Sequence, residues 1–185
     1  MGNGIAEELE GIDLGDKRLN QRSTQVIETL GADPAASVNA ACGGWNETIA
    51  AYRFFDNPAV EPDCILEPHI EATKRRMKEH SVVLIAQDTT ELDFSAHPPR
   101  DAGCLNKEDR FGFYDHTHLA LTPQRLSLGV VGSEQFSRTP ESLGKTKERA
   151  SLPIEQKESF RWLSGYRLAS DLARMSRYTN CQCGR

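Results

Sequence analysis

The sequence predicts an α+β protein with a helical part over residues 1 to 79 and an α/β part over residues 80 to 185. Before residue 79, apolar residues recur at helical spacing between residues that cap or break helices. Near residue 81 the period changes, and the apolar run from Val82 to Ala86 is typical of a strand buried on both faces. Two further segments, His116 to Thr122 and Leu126 to Phe136, have strand character.

The first part is predicted to hold four helices. Asp16 caps the first of them, and Ser37 caps a short second one. Asn46 is predicted to cap a third helix from Glu47 to Phe55. A fourth includes Pro68, which must begin or kink the helix because proline has no N–H to donate. Together these segments predict a compact helical bundle.

The second part continues after its first strand with a hairpin and a helix. The short stretch from Pro123 to Arg125 is long enough only for a tight turn, so the strands on either side of it are expected to pair antiparallel. The polar stretch from Arg138 to Pro153 is predicted to be an exposed loop, and Ile154 to about Tyr178 is predicted to be a helix.

Composition limits the classes of function. With 38% hydrophobic and 26% charged residues and no long apolar segment, the chain is expected to be a soluble, cytoplasmic protein without membrane contact. Its five cysteines include no Cys-x-x-Cys pair, so neither a disulfide framework nor a structural zinc site is indicated. The formal charge of −5 argues against a general polyanion binder. Any contact with nucleic acid must therefore be local.

Cations do cluster locally, at Lys17, Arg18 and Arg22 and again from Lys74 to Lys78. Arg18 and Arg22 are four residues apart and lie beside the predicted apolar stripe of their helix, where they are free to meet a partner. For any one such cluster taken alone, a solvated surface is the favoured interpretation.

Asp88 is the acidic residue that calls for an explanation. It follows Val82 to Ile85, which places a carboxylate where a buried strand is predicted to end. Burying an unpaired carboxylate costs several kcal/mol, so such a residue is hydrogen-bonded at a turn, paired with a base, or bound to a cation. The pattern alone favours a turn carboxylate and a metal ligand equally.

Five segments, in order along nearly the whole chain, resemble the transposases of the insertion-sequence-4 type. The segments are Leu14 to Arg18, Ala51 to Pro58, Gln87 to Thr90, His116 to Thr122 and Lys157 to Trp162. The resemblance implies a helical domain that binds double-stranded DNA at transposon ends for cut-and-paste DNA transposition. It also implies a following ribonuclease-H-like α/β domain, in which two Asp and one Glu hold divalent metal.

Site residues follow from this resemblance position by position. It makes Asp88 the first catalytic acid and a ligand of Mg²⁺ or Mn²⁺, and it directs a set of cations toward the DNA: Lys17, Arg18, Arg22 and Arg53. Leu19 stands where many relatives carry another Arg. For Arg53 the alternative is a surface cation stacked on neighbouring aromatic rings.

Two other groups stay open to more than one interpretation. His116 and His118 alternate onto one side of a strand, which allows a metal pair, although without a third ligand ordinary sheet residues are favoured. Lys157 and Arg161 are four apart and suit either phosphate contact or a solvated helix face.

The chain also departs from the family. No Asp follows Asp171, the downstream Glu is missing, and the resemblance stops after Arg177. We therefore expect a truncated transposase that binds DNA without catalysing strand cleavage alone, and whose strand from Val82 to Ala86 is left as an unpaired edge. Possible partners are a full-length transposase or a second copy of the chain. The alternatives are a DNA-binding inhibitor of a full-length transposase and a non-functional pseudogene product.

Overall fold

The computed structural model describes residues 4–181, apart from the side chains of residues 5, 6, 146, 147, 149 and 176–181. The chain divides into two compact units, Met1–Arg76 and Met77–Arg185. Helices make up the first unit, and an antiparallel sheet with helices makes up the second. The architecture is α+β, as predicted.

The first unit consists of helices joined by short turns. Asp16 and Ser37 are the predicted N-caps, and both are confirmed: Asp16 accepts the Arg18 N–H at 2.6 Å and Ser37 accepts the Ala40 N–H at 3.3 Å. The helices are α1 (Gly4–Glu8), α2 (Lys17–Ala32), α3 (Val38–Cys42), α4 (Trp45–Phe55) and α5 (Pro62–Met77). Met77, the last residue of α5, is the first residue of the second unit.

One predicted helix start is wrong, and of the two possibilities for Pro68 the first, a helix start, is excluded. Asn46 lies inside α4, because Gly43 ends α3 at φ 65° and Gly44 is the single extended residue before Trp45, so Gly44 takes the cap position. Pro68 lies within α5, which begins six residues earlier at Pro62.

The core of the first unit joins α2 to α4 and to the turn before α2. Leu14, Val26, Ala51 and Phe54 are buried there. The predicted apolar stripe of α2 is confirmed in part, since Leu19 and Leu30 also pack against this cluster. These contacts fix the face that α2 and α4 leave toward solvent.

A polar network ties α1 to α5. The Glu8 carboxylate accepts hydrogen bonds from Arg76, with Nη2 at 3.1 Å, and contacts His69 Nδ1 at 2.6 Å. The fully buried Thr73 accepts from Arg76 at 3.0 Å. Burial raises the pKa of Glu8, but the hydrogen bonds and charges of Arg76 and His69 outweigh it, so the pKa is lower than the ordinary 4.5. Arg76 of the second basic cluster therefore has a structural role.

The second unit is built on a four-stranded antiparallel sheet with β3 at its centre. On one side β3 pairs with β1, where Asp88 lies opposite Thr117. On its other side β3 pairs with β4 and with the short β2. The predicted hairpin between β3 and β4 is confirmed. The strands are β1 (Leu84–Asp93), β2 (Gly103–Cys104), β3 (Phe111–Leu121) and β4 (Ser127–Phe136).

The prediction of a β1 buried on both faces and ending at Asp88 is wrong. The strand alternates between exposed and half-buried residues, with Leu84 47% exposed. It also continues for five residues past Asp88, through the β-branched Thr89 and Thr90. The physical reason is that only one face of the strand is covered: Gln87 approaches Gly165 of the C-terminal helix, whereas Leu84 and Asp88 lie on the exposed face. The strand β1 also pairs with β3 alone in the described sheet, so it is an edge strand.

Helix α7 (Phe160–Cys181) covers one face of this sheet, and α6 (Thr146–Ser151) lies in the segment predicted to be a loop. Leu168 and Leu172 pack with the buried Ala120 of β3. The predicted helix from Ile154 to about Tyr178 is confirmed in part, because it begins later, at Phe160, and its backbone continues to Cys181. Residues 182–185 lie outside the described part.

Ion pairs hold the start of α7 to the sheet. Arg138 donates to both carboxylate oxygens of Glu158, at 2.8 and 2.7 Å. Arg161 Nε lies 2.8 Å from Glu134 Oε1, and its guanidinium stacks on Phe136 at 3.5 Å from the ring centre. Two interpretations were open for Arg161, a phosphate contact and a solvated helix face. Neither describes these contacts, because the side chain is bound within the second unit.

Beneath α7 lie the two histidines of β3. His116 is fully buried and His118 is 6% exposed. His116 Nδ1 lies 2.7 Å from Thr89 Oγ1, and its ring meets Trp162 edge-on at 5.1 Å. His118 Nδ1 lies 3.3 Å from the carbonyl oxygen of Gly132. Both rings are thus packed into the sheet–helix interface.

We expect the second unit to lose stability as the pH falls from 7.5 to 5.5. Burial, followed by the neighbouring His118, lowers the pKa of His116 below the ordinary 6.5. The unfolded chain therefore binds a proton below about pH 6.5 that the folded chain resists, so the free energy of unfolding decreases there. Urea denaturation at several pH values would check this. A His116→Asn variant should show a smaller slope with pH, and an unchanged slope would contradict the assignment.

Within residues 4–181, no helix is both long and apolar enough to cross a membrane.

Candidate nucleic-acid interface

A groove of about 680 Å³ runs between α2 and α4 in the first unit. Six of its ten lining residues are polar or charged. Its residues are Asp16, Arg18, Leu19, Arg22, Asn46, Ile49, Ala50, Arg53, Phe54 and Asn57.

The two helices supply this lining for reasons visible in their local structure. The Asp16 cap fixes the start of α2, so that Arg18 and Arg22, one turn apart, project from the same exposed side. On α4, Ala51 and Phe54 turn into the core, which leaves Arg53 on the exposed side. Packing of α2 against α4 then brings three guanidinium groups to one groove.

The electrostatics of the groove are positive although the whole chain carries −5. Three guanidinium groups face one carboxylate, that of Asp16. Among the described residues, no carboxylate lies within 4.0 Å of Arg18, Arg22 or Arg53, so none of the three forms an ion pair there. By contrast, Arg76 and Arg138 each form an ion pair within their own unit. The groove therefore has cations that are available to an external anion.

The structure brings together three of the four cations that the resemblance directs toward DNA. Lys17 is exposed at the first residue of α2 but does not line the groove. For Arg53, the alternative was stacking on a ring, and in the part of the chain described the guanidinium–ring contacts involve other arginines. Leu19 adds an apolar patch to the lining.

Comparison with known families identifies this segment. Residues 1–60 match the family of transposase DNA-binding domains. All ten groove residues lie within that match. A search of curated proteins found no match. The family match supports a transposase-related chain with DNA as its partner.

Two asparagines of the matched segment line the groove, although the sequence predicts a DNA-binding role for neither. Asn46, predicted to be a helix cap, lies within α4, and Asn57 follows the end of α4. Asn57 also accepts the Ala59 N–H at 2.9 Å, which stabilises the turn after α4. Helical spacing places Asn46, Ala50 and Arg53 on one face of α4, which is the signal that could have identified Asn46, whereas Asn57 lies beyond the end of that helix.

Asp88 lies in the second unit, on an exposed position of β1. Its Oδ1 accepts the N–H of Thr89 at 2.8 Å. The nearby carboxylates are used elsewhere: Glu91 and Asp93 both pair with Arg110, Asp93 at 2.6 Å. Hydrogen bonds from Ser95 and then Arg110 lower the pKa of Asp93 to about 2.

The donor set around Asp88 does not fit a complete metal site. Among the residues described, no group of three or more His, Cys, Asp and Glu side chains could hold a metal ion. Mg²⁺ and Mn²⁺ prefer several oxygen ligands, and the described chain places a single available carboxylate on this strand. No chemical step through a metal therefore follows from these residues alone.

Proposed function

We propose that this chain binds double-stranded DNA at a transposon end, as part of an insertion-sequence-4 type system of cut-and-paste transposition. One observation carries the proposal. Three arginines without ion-pair partners among the described residues line one groove, inside the segment that matches transposase DNA-binding domains.

The groove chemistry suits the phosphate backbone of DNA. Guanidinium groups neutralise phosphates and release condensed counterions, which gives affinity and register rather than sequence selection. Asn46 and Asn57 add uncharged donors and acceptors to the same lining. Arg18, Arg22 and Arg53 are therefore the proposed phosphate contacts, and exposed Lys17 is a peripheral one.

For the second unit we propose the opening portion of a ribonuclease-H-like domain. The antiparallel neighbours β1, β3 and β4, followed by α7 across one face, support this proposal, as does Asp88 on the first strand. Asp88 would supply one acidic ligand for Mg²⁺ or Mn²⁺. Strand cleavage would then require further acidic residues from another segment or another polypeptide, such as a full-length transposase or a second copy pairing at the free edge of β1.

A second candidate function is a DNA-binding inhibitor of a full-length transposase. It is favoured by the contrast between a groove with three available cations and a sheet on which the described residues form no metal cluster. Such a chain would occupy transposon ends without cutting them.

The decisive experiment measures binding of the full chain to a fluorescent duplex that carries the inverted end flanking the gene. We expect the Arg22→Ala, Arg53→Ala double variant to bind at least about tenfold more weakly, and the slope of log K against log [salt] to fall by about two. Lys17→Ala is the matched control, because it removes an exposed cation of α2 outside the groove. Its loss should be no more than about threefold.

Two results would contradict the proposal. One is binding that is absent or insensitive to salt in the unaltered chain. The other is an equal loss for Lys17→Ala and for the double variant, which would place the contacts outside the groove.

A further inference from the structure

Helix α4 exposes two aromatic side chains that the core does not use. Trp45 is 76% exposed and Tyr52 is 49% exposed. They are seven residues apart, which is two turns of the helix, so they lie on the same side of α4. Leaving such rings in water forfeits part of the free energy that burial of an aromatic side chain provides.

This aromatic pair borders the arginine groove. Ile49 lies between Trp45 and Tyr52 at helical spacing, and Ile49 itself lines the groove. Arg53 follows Tyr52 directly and also lines the groove. One side of α4 therefore presents an apolar stripe next to a cationic one.

We propose that α4 enters the major groove of the DNA, with Trp45 and Tyr52 against the apolar edges of the bases, above all the thymine methyl groups. The inference deepens the proposed function and rests on it. A helix with its side chains is about 10–12 Å across, and the major groove is about 12 Å wide. The two rings are about 10.5 Å apart along the helix axis, which corresponds to about three base steps of 3.4 Å.

Charge identifies the occupant of this surface. The stripe adjoins three guanidinium groups that have no carboxylate partner among the described residues, so a partner that covers the rings must also present anions to the arginines. Duplex DNA presents phosphates beside apolar base edges at this scale. The two stripes then have separate roles, with the arginines providing salt-dependent attraction and the rings providing contacts that salt does not screen.

The test compares the Trp45→Ala, Tyr52→Ala double variant with the unaltered full chain on the duplex described above. We expect about tenfold weaker binding with the salt slope unchanged, whereas the arginine variant lowers that slope. A duplex with deoxyuridine in place of thymidine should bind the unaltered chain more weakly, and it should make little difference to the double variant. The conservative Trp45→Phe, Tyr52→Phe variant keeps both rings and should keep most of the affinity.

Phe55→Ala is the matched control. Phe55 is an aromatic residue of the same helix, 48% exposed, but it lies off the stripe and contacts Phe54. This control should bind DNA within about twofold of the unaltered chain. Circular dichroism of each variant would verify that the helices are retained.

Each adverse outcome has a distinct meaning. If the aromatic double variant binds normally while the arginine variant does not, the inference is wrong and the proposed function stands. If the aromatic variant binds DNA normally but loses self-association in sedimentation experiments, the surface contacts a second copy, which also overturns the inference. If the unaltered chain shows no salt-dependent binding, both fall.

Discussion

Replacing Gly165 by alanine is expected to destabilise the second unit by about 3 kcal/mol. A Cβ atom at this position of α7 would lie 2.2 Å from Gln87 Oε1 and 2.2 Å from His118 Nε2. Neither group can retreat easily, because Gln87 lies 3.4 Å from the buried His116 and His118 is itself 6% exposed. Alanine improves helix propensity by about 1 kcal/mol, which is too little to offset the overlap.

Urea denaturation followed by circular dichroism would measure this loss. Gly4→Ala is the control, because a Cβ on Gly4 of α1 meets nothing within 4 Å. Its midpoint should stay the same or rise slightly, while that of Gly165→Ala falls. Equal midpoints for both variants would show that α7 does not approach the sheet as closely as the structure has it.

The elements of the fold that depend on local chemistry could be predicted from the sequence. The caps at Asp16 and Ser37 and the hairpin between β3 and β4 each depend on a few neighbouring residues, and each is confirmed. The wrong predictions concern Asn46 and Asp88. Gly44 displaced Asn46 from the cap position, and coverage of one face of β1 left Asp88 exposed on the other face, which an apolar run alone does not reveal.

The candidate site also has a part that the sequence predicts and a part that depends on tertiary packing. The individual cations could be predicted from the family resemblance, but their convergence could not, because it depends on how α2 packs against α4. Helical spacing already separates Lys17 from the others, since Arg18 and Arg22 are four residues apart and Lys17 is five from Arg22. The contribution of Asn57 needed the tertiary structure, because this residue lies beyond α4 and also has a local role in the turn.

Shortening Phe54 to alanine is expected to abolish DNA binding by unfolding the first unit, although Phe54 carries no charge. This side chain is 2% exposed, belongs to the core with Leu14, Val26 and Ala51, and also lines the groove. Removing a buried phenylalanine costs about 3–5 kcal/mol, which is comparable to the whole stability of a unit of this size.

Comparing this variant with the arginine variant distinguishes a loss of folding from a loss of contacts with DNA. Phe54→Ala should lose both the helical signal of the first unit and the affinity for the duplex, whereas the Arg22→Ala, Arg53→Ala variant should lose affinity alone. Phe54→Leu keeps most of the buried volume and should retain DNA binding with a lower melting temperature. Because one side chain supports both the core and the groove, the positions of the three arginines depend on the packing of α4. Full affinity in a Phe54→Ala chain with a melted first unit would mean that the cations act without the groove.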